Sequence, residues 1–91
     1  MNDINDVVIT ENPRDVILFA TRNKKIISYP ALDRLYSRNN WANISNNIEL
    51  LKLVEAMTLE GLIEHADGGY RNGPNWKEPA FITKKNTPSS K

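Results

Sequence analysis

The sequence predicts an α+β domain, mainly α, in which three helices precede a C-terminal β-hairpin. Apolar residues recur at three- and four-residue steps in three segments between positions 13 and 60. After Gly61 that period gives way to short β-prone runs. The stretch HADGGYRNGPNWKEP at 65–79 then gathers three of the four glycines and two of the five prolines, which supply turns.

Taken in order, residues 1–11 carry the β-prone run Val7-Val8-Ile9-Thr10 after a polar start, and read as an added strand, an extra helical turn or an arm. Asn12-Pro13-Arg14-Asp15 is a helix start: Asn12 suits the cap, Pro13 the first helical position, and Asp15 the positive helix end. Val16, Ile17, Phe19 and Ala20 share a broad apolar face, and the helix is expected to run to about Lys24. Ile26-Ile27-Ser28 is a short link. Tyr29-Pro30 opens a second helix with Ala31, Leu32, Leu35 and Tyr36 as its buried stripe, ending at Arg38-Asn39-Asn40. Trp41, in the turn that follows, is expected to plug the core.

The third helix opens at Ile44-Ser45-Asn46-Asn47, with Ser45 or Asn43 as cap. Its apolar spacing continues through Ile48, Leu50 or Leu51, Val54 and Met57 to Leu59, and Gly61 closes it. Leu62–Ala66 reads as a strand, Asp67-Gly68-Gly69 and Asn72-Gly73-Pro74 as turns, and Glu78–Thr83 as the returning strand of a hairpin with a long tip. The organisation expected is therefore an N-terminal arm or added element at 1–11, one domain at 12–84 and a disordered tail at 85–91.

The chain has 91 residues, 40% of them hydrophobic, which suffices for one small core. With no cysteine, disulfides, thiolate metal sites and cysteine nucleophiles are excluded, and a reducing cytoplasmic setting is expected. No apolar run approaches the roughly 18 residues of a membrane span, and the start MNDINDVVIT is acidic where a secretory signal is basic. Twelve basic against eleven acidic side chains give a net charge of +1, too balanced to name a partner alone. His65 beside Glu64 and Asp67 is poor metal spacing, and Gly68-Gly69 neither opens a helix nor precedes Lys-Ser/Thr, so no metal, cofactor, phosphate loop or catalytic role is expected. Lys24-Lys25 and Lys84-Lys85 read as a helix terminus and a solubilising tail.

The order helix, link, helix, turn, helix, hairpin, together with ISNNIELLKLVEAMTLEGLIEH and its closing Glu60-Gly61-Leu62-Ile63, resembles the winged helix-turn-helix DNA-binding domains of bacterial and phage regulators over residues 13–85. The resemblance implies that the third helix enters the major groove of double-stranded DNA and that the hairpin is a wing. It implies base contacts from Asn43, Ser45, Asn46, Asn47 and Lys52, since asparagine pairs bidentately with adenine. Tyr70, Arg71, Trp76 and Lys77 would grip a backbone or a protein surface from the wing, unless Trp76 or Tyr70 folds back onto the domain's own core. One departure is plain. The third helix carries Glu49, Glu55 and Glu60 against the lone Lys52, where a DNA-reading helix gains affinity from several cations.

Two readings follow from the same scaffold. The first is a cytoplasmic transcriptional regulator of bacterial, phage or plasmid origin, dimeric, with residues 1–11 as the dimerising candidate. The second is a protein-binding module, antitoxin-like, immunity-like or a phage-encoded inhibitor, without DNA binding. Base rates for the architecture favour the first, and the acidic third helix favours the second.

Overall fold

The computed structural model describes residues 4–82. Four helices, α1 (Ile4–Thr10), α2 (Pro13–Ala20), α3 (Tyr29–Arg38) and α4 (Asn47–Leu59), are followed by strands β1 (Ile63–Ala66) and β2 (Gly69–Asn72). The domain is mainly α, with a two-stranded antiparallel hairpin after the helices, as the sequence predicts. Its tail from Thr83 onward, including Lys84-Lys85, lies outside the described residues.

Of the three options for the N-terminal segment, the helical one is observed over Ile4–Thr10. Val7 and Val8 sit side by side in α1 and are both buried in the same core as α2 and α3. Two asparagines of the α3–α4 loop region tie this helix down. The Asn43 amide donates to the carbonyl oxygens of Ile9 at 2.9 Å and of Val8 and Glu11 at 3.3 Å, partnering carbonyls that the helix end leaves open. Asn39 donates to the side-chain oxygen of Asn5 at 2.9 Å.

In α2 the expected cap is present: the Asn12 side chain accepts from the Arg14 N–H at 2.9 Å, with Pro13 in the first turn. The helix stops four residues earlier than its apolar spacing suggests. At Thr21 the hydroxyl donates back to the Ile17 carbonyl, and a single 3-10 turn, Arg22–Lys24, carries the chain onward with Asn23 and Lys24 in the left-handed region. Ile27 then exchanges both backbone hydrogen bonds with Tyr70, at 2.9 and 2.8 Å, so the link adds a one-residue rung to the hairpin.

Ser28 caps α3 by accepting from the Ala31 N–H, and Leu32, Leu35 and Tyr36 are its buried stripe. Trp41 is the core plug expected of it, stacked on Tyr36 with ring centroids 6.2 Å apart. Burial holds the Tyr36 hydroxyl in its neutral form, raising its pKa above the ordinary tyrosine value.

The cap of α4 departs from expectation. Neither Ser45 nor Asn43 caps it; the Asn46 side chain accepts from the N–H groups of Ile48 and Glu49, both at 3.0 Å. Asn43 is otherwise engaged with α1. At the far end Gly61, at φ +79°, closes the helix with paired bonds: its N–H reaches the Thr58 carbonyl, and the Leu62 N–H reaches Met57.

The hairpin is also tighter than expected. Ala66 pairs with Gly69 across a two-residue turn, Asp67-Gly68, with Gly68 at φ +83°. The returning strand is therefore Gly69–Asn72 and not the expected Glu78–Thr83 run, of which residues 78–82 are described and form no strand. Asp-Gly directly between two short runs is the stronger turn signal, and Pro79 lacks the N–H that a central rung needs. Beyond β2 the chain recrosses the end of α4, where Gly73 donates to Leu62 and Asn75 to Gly61. A Cβ on Gly73 would sit 2.4 Å from the Gly61 carbonyl oxygen, so this crossing requires glycine. Residues 80–82 are helical, and Phe81 closes the core 5.5 Å from the ring of Phe19.

Asn43→Ala should lower the unfolding free energy by about 1–2 kcal/mol, because it removes donors to α1 and places alanine at a left-handed φ of 65°. Asn43→Gly, which keeps the backbone conformation available, should lose less. Urea denaturation measures both, and equal stability of Asn43→Ala and wild type would refute the anchoring role.

Candidate functional site

Helix α4 has more aliphatic residues than one face can bury. Leu50, Val54 and Met57 point inward and are wholly withdrawn from water. On the outward side Ile48, Leu51 and Leu59 are 60%, 41% and 90% exposed, which makes this helix the source of three of the five large exposed aliphatics among the described residues. They share their face with Lys52 and Glu55, in helical steps of three and four. Lys52 lies 3.7 Å from Glu49, so its charge is partly matched within the helix.

The hairpin supplies a second wall. His65 and Tyr70 oppose each other across β1 and β2 and present their rings on one face, with centroids 4.8 Å apart. On one side of this ridge is a shallow groove of about 330 Å³ bounded by Glu55, Thr58 and Leu59 of α4. On the other is a groove bounded by Tyr29, Pro30 and the Asp67–Gly69 turn. Tyr29 joins the two helices that frame the surface: its hydroxyl donates to the Asn47 carbonyl at 2.8 Å. Its pKa is raised, first by desolvation and then by the charges of Asp33 and Tyr70 nearby.

The residues singled out from the sequence are dispersed. Asn47 and Lys52 are exposed on α4, and Ser45 is exposed just before it. Asn43 and Asn46 spend their side chains on α1 carbonyls and on the helix cap. Alternation along β2 sends Tyr70 to the α4 side and Arg71 to the other face, where it forms an ion pair with Glu64 at 2.7 Å near Lys24. Trp76 folds back, as the alternative reading of that residue had it. Its indole N–H donates to the Leu18 carbonyl at 3.1 Å, and its ring packs against the core. Lys77 is exposed.

The sequence reading put Ile48, Leu51 and Leu59 in the apolar spacing of the helix rather than at the surface, and did not bring His65 beside Leu59. The available signal was the ambiguity at Leu50 and Leu51: a helix apolar on two sides has a second face to cover. Among the described residues no group of three His, Cys, Asp or Glu could hold a metal ion, and no helix is long and apolar enough to cross a membrane. Comparisons with protein-family models, curated proteins and solved structures find no match.

Because Trp76 is a packing residue, Trp76→Ala should destabilise the domain by about 2 kcal/mol, less than a wholly buried tryptophan would. Thermal unfolding followed by circular dichroism tests this; an unchanged midpoint would show that the indole contributes nothing to the fold.

Proposed function

We propose that the chain is a winged helix-turn-helix-type module that binds another protein through the outward face of α4. The observation that carries this reading is the composition of that face: Ile48, Leu51 and Leu59 exposed beside Glu55, with the one cation there, Lys52, drawn toward Glu49. Aliphatic side chains gain by leaving water, and a protein surface can cover them. A DNA groove offers mainly phosphates and polar base edges, and two carboxylates on the approaching helix are repelled there. The charge of the domain supports the same choice. Residues 4–82 carry nine basic and ten acidic side chains. The role is that of a binding protein rather than an enzyme, of the antitoxin-like, immunity-like or inhibitor kind.

A second reading, a dimeric cytoplasmic transcriptional regulator of bacterial, phage or plasmid origin that binds double-stranded DNA, draws support from the element order and from exposed cations. Lys24, Lys25, Arg34, Arg38 and Lys77 are exposed and form no ion pair among the described residues. Asn47 and Lys52 remain available at the α4 face for base or phosphate contacts.

Fluorescence anisotropy with mixed duplex DNA separates the two, titrated at about 50 and 200 mM salt, the range over which phosphate-driven binding collapses. The protein-binding reading predicts no salt-sensitive association at either concentration. Tight binding at the lower salt that falls steeply at the higher, and weakens with Lys52→Ala, would overturn it in favour of the regulator.

A further inference from the structure

Resting on the protein-binding reading, we propose that the partner presents a basic amphipathic helix, seated along the α4 face and in the groove between Glu55, Leu59 and the His65–Tyr70 ridge. Three features of the surface specify that chemistry.

The first is shape and length. The outward aliphatics run from Ile48 to Leu59, eleven residues apart, a stripe of roughly 16 Å at 1.5 Å per residue. Three turns of a partner helix match it, with anchors at helical spacing laid against Leu51 and Leu59. The second is the aromatic wall. Rings of Tyr29, His65 and Tyr70 border the grooves on either side of the hairpin ridge, and tyrosine faces attract lysine and arginine side chains.

The third is the sign of the charge. Glu55 lines the groove beside Leu59, and Asp67 lines the neighbouring groove at the hairpin turn. Among the described residues neither groove is lined by lysine or arginine. The cation on α4 itself, Lys52, is drawn toward Glu49. Arg71 and Lys24 border a separate groove on the opposite face of the hairpin. A partner carrying lysine or arginine around an aliphatic stripe therefore complements this surface, and an acidic one is repelled by it.

The test uses two fluorescein-labelled 14-residue helical peptides with the same leucine stripe, one with lysines at the remaining surface positions and one with glutamates. Anisotropy titrations against the whole protein should show the lysine peptide binding at least tenfold more tightly. Glu55→Lys should remove that preference, and Leu59→Ser should weaken the lysine peptide at least fivefold. Equal binding of both peptides, with Leu59→Ser weakening both, would overturn the charge assignment while leaving docking on α4 intact. Binding of neither peptide would overturn the groove proposal, and the DNA titration would still judge the protein-binding reading separately. Sedimentation of the protein alone supplies a further check: a dimer that Leu59→Ser dissolves would make the occupant a second copy and overturn the partner helix.

Discussion

The buried seam of Leu50, Val54 and Met57 on α4 is the constraint from which the other elements take their places. Each lies fully out of water, so α2, α3 and the strand that follows must close over that seam. Asn46 and Gly61 fix where the helix begins and ends, and the second of these also sets where β1 leaves it. With rotation and ends both fixed, the opposite side of the helix has no freedom to turn inward. Ile48, Leu51 and Leu59 are exposed as a direct consequence.

The same economy governs the asparagines. Twelve in a chain of this size look like a compositional bias, yet several have separate mechanical tasks. Asn12 and Asn46 cap helices; Asn43 and Asn39 hold α1 against the loop before α4; Asn23, Asn40 and Asn43 occupy left-handed backbone positions that branched residues would resist. A residue read as a base-contacting candidate can thus be consumed by the architecture. What remains at the surface for recognition is then mostly aliphatic and acidic on α4, aromatic on the hairpin.

Those parts of the fold governed by local chemistry were legible in the sequence. Asn12-Pro13, Tyr29-Pro30 and Gly61 marked helix ends correctly because capping, fixed proline φ and a left-handed glycine act within a few residues. Misreadings came where two local signals competed. Asp67-Gly68 and Asn72-Gly73-Pro74 both mark turns, and only pairing with Ile27 and the crossing over Gly61 select the tight one. Likewise Asn43, Ser45 and Asn46 are all cap-forming types, and the choice depends on α1, more than thirty residues away in sequence. The candidate surface was less legible still. Telling Leu50 from Leu51 requires the angular placement of α4, which belongs to packing rather than to periodicity.

Binding through the outward face of α4 requires that face to be spare to the fold and available to a partner. Urea denaturation of Leu51→Ser/Leu59→Ser measures that most directly. The double variant should keep a stability within about 0.5 kcal/mol of wild type, as for surface substitutions generally. A loss of more than about 2 kcal/mol would contradict it, placing these leucines in the domain's own core and removing the surface on which the proposed function rests.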